Sequence, residues 1–178
     1  MNCYVQTWSV APRRIIFFRI VPLHAPYHCI LVTLIRRTMA VTVSERIRWS
    51  DMDTAGIMYF GTYVRLFEIG ETELFRELGI PYRDDVMERM GFYFLRRNFH
   101  CDFLRPVRLD DIVHISIGFS EIRSRAARMD FTIDCNGTRS GTGYCTIVAV
   151  DKQSRTSISI PEEIRAAMQQ YSVSPVQS

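Results

Sequence analysis

Residues 51–78 read DMDTAGIMYFGTYVRLFEIGETELFREL, and the change of rhythm inside this stretch decides the fold. Asp51 to Gly56 are turn formers that include two carboxylates. From Tyr59 the period becomes helical. Tyr63, Leu66, Phe67, Gly70, Leu74, Phe75 and Leu78 fall on one face, while Glu68, Glu71, Glu73 and Glu77 carry charge. Gly79 is a stop signal and Pro81 follows it. The pattern predicts one helix over 59–78. Gly70 sits on the apolar stripe and costs about 1 kcal/mol of helix propensity relative to alanine. The expected compensation is close approach of a neighbouring backbone.

On either side of this helix the chain reads as strands. Upstream, 41–49 (VTVSERIRW) places Val41, Val43, Ile47 and Trp49 on one parity, broken at Glu45. Residues 80–91 are mixed and polar, with room for a short helical turn. Downstream, strands are predicted at 92–104, 111–122, 127–135 and 139–150, the last two joined by the hairpin signal Asn136-Gly137. A terminal helix over 161–170 opens with Pro161 and two glutamates, as helix starts prefer. Residues 171–178 read as a frayed tail. One strand, one long helix and a four-strand meander make an α+β architecture with no second domain.

Composition narrows the class. Of 178 residues, 47% are hydrophobic and 23% charged, which suits a packed globular core. The net charge of +3 is unevenly spread: residues 1–44 hold five arginines and no acid, and the remainder holds 17 basic and 19 acidic residues. That mildly acidic remainder carries no nucleic-acid signature. Five cysteines without a CxxC pair predict neither a disulfide framework nor a zinc site, and point to reduced thiols in the cytoplasm. Residues 1–38 are arginine-rich, acid-free and broken by Pro22 and Pro26, too short and interrupted for a spanning helix. They are expected to lie outside the catalytic core, as a presequence or as translation upstream of a natural start at Met39.

The chemistry concentrates where the loop meets the helix. Asp53 lies after a strand, Gly56 permits a tight turn, and Tyr59-Phe60 lead into the helix start. First-turn N–H groups lack internal partners and sit at the positive end of the dipole. Such a site can hold the oxygen that becomes negative when a thioester carbonyl is attacked. A carboxylate beside it, lined by aromatics, is an acyl-transfer arrangement.

These residues resemble the 4-hydroxybenzoyl-CoA thioesterase family, which includes short-chain acyl-CoA thioesterases of bacteria. The similar positions are Asp51, Asp53, Gly56, Ile57, Met58, Tyr59-Phe60, Thr62 and Tyr63, then FEIGETE at 67–73 and Arg105-Pro106 with Leu109-Asp110-Asp111. The resemblance covers about 41–152. It implies a hotdog fold, a five-stranded antiparallel sheet wrapped around one long central helix, over residues 39–170. It places the catalytic carboxylate, as nucleophile or general base, on Asp53. It places the oxyanion donor on the backbone N–H of Phe60, and substrate contacts at Gly56, Ile57, Tyr59 and Tyr63. Where the family has His or Tyr, this chain has Phe60; where it has Asn or Ser, this chain has Thr62. A more apolar pocket mouth follows. The implied substrate is an acyl-CoA, or an acyl group on a carrier protein, with no cofactor and no metal. The implied assembly is a homodimer or homotetramer with the site at the subunit interface.

The same residues argue against several other readings. Asp51 and Asp53 as plain loop acids account for neither the glycine nor the helix. The segment fails as a calcium loop because Ala55 replaces an oxygen ligand and Thr62 the closing glutamate. Gly137–Gly143 lacks the Gly-Lys-Ser/Thr ending of a phosphate loop. His100 and Asp102 face one side of a strand and Cys101 the other, so no Cys-His pair forms. Arg123, Arg125 and Arg128 cluster at a bend and are either a solvated turn or ligands for the phosphates of coenzyme A. Glu68 and Glu71 are expected at solvent or an interface. A non-catalytic acyl-CoA or carrier-protein binding module is the rival function. A dehydratase is disfavoured, since residues 59–78 contain no histidine.

Overall fold

A computed structural model describes residues 39–176, so the expectations for residues 1–38 lie outside the described part. Five strands and three α-helices follow in order: β1 Val41–Arg46, α1 Thr62–Glu77, α2 Asp84–Met90, β2 Phe92–Phe103, β3 Ile112–Ile122, β4 Ala126–Cys135, β5 Thr138–Asp151 and α3 Glu162–Met168. All five strands form one antiparallel sheet in the order β1-β3-β4-β5-β2. The α+β class stands. The meander does not: β2 skips β3 and pairs with β5 at the far edge. The link Leu104–Asp111 crosses the sheet's end. Leu104 and Arg105 both donate to the Ser140 carbonyl there, and Val107 is fully buried.

Helix α1 packs on β3 and β1 through the stripe Tyr63, Leu66, Phe67, Gly70, Leu74 and Phe75, all buried. A Cβ on Gly70 would lie 3.0 Å from Ile115 and 3.3 Å from Ile117 side-chain carbons. The close neighbours are therefore side chains, not the backbone expected. The opposing core comes from alternate residues of β3 (Val113, Ile115, Ile117, Phe119), β4 (Ala127, Met129, Phe131, Ile133) and β5 (Cys145, Ile147, Ala149).

Two other expectations change. Trp49 is exposed rather than core, because β1 ends at Arg46 and the chain turns through a 3-10 turn at Trp49–Asp51. Residues 171–176 are not frayed. Val173 donates to the Phe119 carbonyl, and Val176 N–H donates to Asp130 on the sheet's outer face. That segment fits because Gly118 is bare: a Cβ there would stand 2.6 Å from the Tyr171 carbonyl oxygen. The Asn136-Gly137 hairpin forms as read, with both residues at positive φ (50° and 72°). Among the described residues no helix is long and apolar enough to cross a membrane.

Candidate active site

The 51–62 loop is a narrow hairpin held at both feet. Met52 and Met58 pair as an antiparallel bridge. Asp53 N–H donates to the Ile57 carbonyl at 3.0 Å, and Gly56 closes the tip at φ +72°. Met58 N–H donates to the Val107 carbonyl at 2.8 Å, which ties the loop to the link that crosses the sheet's end.

The two aspartates part company here. Asp51 is buried (4% exposed), and its Oδ2 accepts from Arg48 N–H and Arg65 Nη2, each at 2.8 Å. Arg65 also reaches Glu45 at 3.0 Å, which explains the polar break in the β1 pattern. The Asp51 carbonyl accepts from Tyr59 N–H at 2.8 Å and from the Thr62 hydroxyl at 3.2 Å. Asp51 thus fastens the loop to the helix start and is already occupied. Asp53 is only half-buried. Its Oδ1 accepts from Ala55 N–H at 2.8 Å, and Oδ2 has no partner among the described residues. It lines an open groove of about 760 Å³ with Trp49, Met52, Thr54, Gly56, Tyr59 and Leu109.

The helix start is bare. Gly61 caps α1 with no side-chain hydrogen bond, and the first bonded N–H is that of Thr62, donating to the Tyr59 carbonyl at 2.9 Å. Among the described residues the N–H groups of Phe60 and Gly61 have no acceptor. No acid occupies the first turn to quench the dipole. The Phe60 ring is exposed and packs against Tyr59, with centroids 4.4 Å apart.

Of the other residues singled out from sequence, Gly56 and Tyr59 share the groove with Asp53. Ile57 does not line the groove; it is half-buried and serves the hairpin through its carbonyl. Tyr63 is buried away from the groove against Phe103, centroids 4.7 Å apart, and burial pushes its phenol up to about 12. The arginines are elsewhere: Arg123 and Arg128 line a separate pocket at the other end of β3, and Arg125 contacts Ser157. His100 and Asp102 meet on one face at 3.2 Å, with Cys101 on the other, as strand parity requires. Burial pushes the Cys101 and Cys145 thiols up to about 12, so neither offers a thiolate near neutral pH. Among the described residues no His/Cys/Asp/Glu group is arranged to hold a metal.

Glu71 departs from its expected place. Glu71 is fully buried on α1, neither at solvent nor at an exposed face. It pairs with Arg96 of β2, and its Oε1 has no partner among the described residues. Burial raises its carboxyl above the usual glutamate range, against the opposing pull of Arg96. The signal was available, since Glu71 lies four residues after Phe67 and so falls on the apolar stripe.

The profile of the thioesterase-like superfamily matches residues 47–168. An acyl-CoA thioesterase, YbgC, of Haemophilus influenzae is 22% identical over 122 residues, covering 68% of this chain and 89% of its own. The fold is shared with a 1,4-dihydroxy-2-naphthoyl-CoA thioesterase from Synechocystis (TM-score 0.66, 14% identity, 72% of this chain and 95% of that one). It is also shared with a Staphylococcus aureus protein solved in complex with CoA (TM-score 0.70, 14% identity, 79% and 89%).

Proposed function

We propose that this chain, which belongs to the thioesterase-like superfamily, hydrolyses acyl-CoA thioesters with Asp53 as the catalytic carboxylate. The observation that carries this reading is the loop-to-helix junction. A half-buried carboxylate with one free oxygen lines an apolar-walled groove, on the loop that runs into two unpaired N–H groups at a helix start. The Phe60 N–H, joined by that of Gly61, holds the carbonyl oxygen as it turns negative. Asp53 Oδ2 then either attacks the carbonyl carbon or takes a proton from the attacking water. In the first route the CoA thiolate leaves and water hydrolyses the resulting anhydride. In the second, water adds directly and the thiolate leaves. Both routes end in free acid and CoA. Trp49, Tyr59 and Leu109 give the groove its apolar walls, which fits an acyl or aroyl group.

In this reading the catalytic domain is 39–170 folded as a hotdog, with the sheet wrapped around α1. The working unit is a homodimer or a dimer of dimers in the cytoplasm. The support is an unsatisfied edge: in β2, residues 95–99 are all exposed and unpaired on their outer side, and Phe103, Leu104, Phe60 and Val64 are each at least half exposed. Light scattering on the eluted protein that reported an active monomer would contradict it.

An acyl-CoA panel with free-thiol detection tests the function. Wild type releases thiol, and Asp53→Asn lowers turnover by about 10²–10⁴-fold, the range lost with a catalytic acid or base. Binding of acyl-CoA without thiol release makes the chain a binding module instead. Acyl-carrier-protein thioesters run in parallel identify the thiol. Full turnover by Asp53→Asn defeats the site assignment.

A further inference from the structure

The backbone at the head of α1 is fixed on both sides of Gly61. Tyr59 N–H donates to the Asp51 carbonyl at 2.8 Å, and the Tyr59 carbonyl accepts from Thr62 N–H at 2.9 Å. Gly61 itself has φ −64° and ψ −22°, ordinary right-handed helical backbone that any residue adopts. In such backbone glycine is disfavoured relative to alanine. Among the described residues four glycines take a positive φ and four are pressed by residues distant in sequence; Gly61 does neither.

The close neighbour of Gly61 is the side chain of Tyr59. A Cβ at position 61 would stand 2.4 Å from Cε1 of that ring, 3.0 Å from Cδ1 and 3.3 Å from Cζ. One edge of the ring therefore fills the space that a side chain at 61 would take. Tyr59 also walls the Asp53 groove, whereas Phe60 and Gly61 do not line it. The ring thus joins the two halves of the site, the carboxylate on one side and the backbone bearing the free Phe60 and Gly61 N–H groups on the other. Tyr59 is 45% exposed, so no core packing of its own chain holds the ring; the bare backbone at Gly61 is its seat. This contact lies within one chain, so it holds whichever copies meet nearby.

We propose that Gly61 is a positioning residue for the hydrolysis: by carrying no side chain it seats the Tyr59 ring against the helix start, and the seated ring holds the thioester carbonyl between Asp53 and the free amides. That role presupposes the thioesterase reading, which supplies the reaction. A ring packed along this backbone also keeps water from one flank of the donors, and donors in a water-excluded site hold a developing charge more strongly. A side chain at 61 displaces the ring without straining the main chain, because the ring turns about its own χ1 bond toward solvent. The fold then survives while the alignment is lost.

Steady-state kinetics by free-thiol release test this on the full chain, with butyryl-CoA, hexanoyl-CoA and benzoyl-CoA as substrates. Gly61→Ala is expected to lower kcat by about 10- to 100-fold, the loss that a misplaced reacting group brings, with KM changed less. It should melt at or above the wild-type temperature, because alanine fits this backbone and restricts the unfolded chain. Tyr59→Ala should lower kcat as well, and adding Gly61→Ala to it should cost nothing further, since no ring is left to displace. Additive losses in the double variant, or a kcat for Gly61→Ala equal to or above that of wild type, overturn the proposal. So does a changed mass of Gly61→Ala in light scattering, which assigns the glycine to assembly instead. The role of Asp53 is read separately from Asp53→Asn. Lost turnover there with full turnover in Gly61→Ala keeps the carboxylate and removes the ring seat. Full turnover there with coupled losses at 59 and 61 removes the carboxylate and keeps the ring seat.

Discussion

Replacing Asp51 should cost stability, whereas replacing Asp53 should not, although the two carboxylates are separated by one residue. In Asp51→Ala two hydrogen bonds to a buried carboxylate disappear, from Arg48 N–H and from Arg65. Bonds to charged groups contribute about 1.5–3 kcal/mol each, which sets an upper bound near 6 kcal/mol. The loss is smaller here, because the Arg65 side chain is 34% exposed and keeps Glu45 at 3.0 Å. Solvent and the second carboxylate discount the Arg65 share. About 2–4 kcal/mol remains, and at roughly 2–4 °C per kcal/mol for a domain of this size the melting temperature falls by about 5–15 °C. Asp51→Asn keeps an acceptor for Arg48 N–H and should lose about half as much. Asp53→Asn keeps the Ala55 contact and should stay within about 0.5 kcal/mol of wild type. Guanidinium unfolding of the three variants at pH 7, followed by fluorescence and paired with the thiol-release assay, separates stability from chemistry. An Asp51→Ala protein as stable as wild type but without turnover would refute the division of labour.

Two further outcomes follow from packing and charge. Gly143→Ala places a Cβ 2.2 Å from the His100 carbonyl oxygen and 2.7 Å from the Phe131 ring, so β2 must shift away from β5; a loss of about 3 kcal/mol or more is expected in denaturant unfolding, and a loss under 1 kcal/mol would contradict the packing. Glu71 has a raised carboxyl pKa in the fold, so its contribution is full below the ordinary glutamate range and is lost as pH rises through the raised value. Glu71→Gln should match wild type near pH 4.5 and become progressively the more stable of the two toward pH 8; the opposite trend would mean that Arg96 outweighs desolvation.

Much of this molecule is legible in sequence because its signals are local. The helical stripe from Tyr63 to Phe75, the Asn136-Gly137 turn and the Asp53–Gly56 loop each depend on a few neighbouring residues. What escaped was set by distant partners. Nothing near Leu104 says that the chain will cross to the other side of the sheet, since strand order depends on which edge buries Val107. The residue type of Glu71 suggests a helix charge while its place on the stripe suggests burial, and its inward-facing partner Arg96 lies 25 residues on. The split between Asp51 and Asp53 rests on Arg65, whose reach no spacing rule states.

Strand β2 carries a β-bulge between Arg96 and Asn98 where it pairs with β5, and this is a different case, because its trace is in the sequence. Phe92 and Phe94 occupy even positions, and Phe99, Cys101 and Phe103 occupy odd ones. A regular strand has a side-chain period of two and cannot turn both sets toward the helix-facing side of the sheet. One residue must be inserted between positions 94 and 99, and that window holds Arg96, Arg97 and Asn98. Bulges are enriched beside functional sites, where they re-aim side chains. The phase slip therefore locates an insertion and also names the polar residues that it turns out. A variant deleting Arg97 would remove the insertion and force one parity on the whole strand. Either Arg96 leaves Glu71, or Phe99 leaves Phe67 and Phe103 leaves Tyr63. Both outcomes bury or expose the wrong groups, so this deletion should destabilise the fold far more than Arg97→Ala, which keeps the backbone count. Equal melting temperatures for the two variants would show that the strand tolerates either phase and that the bulge is not held by its neighbours.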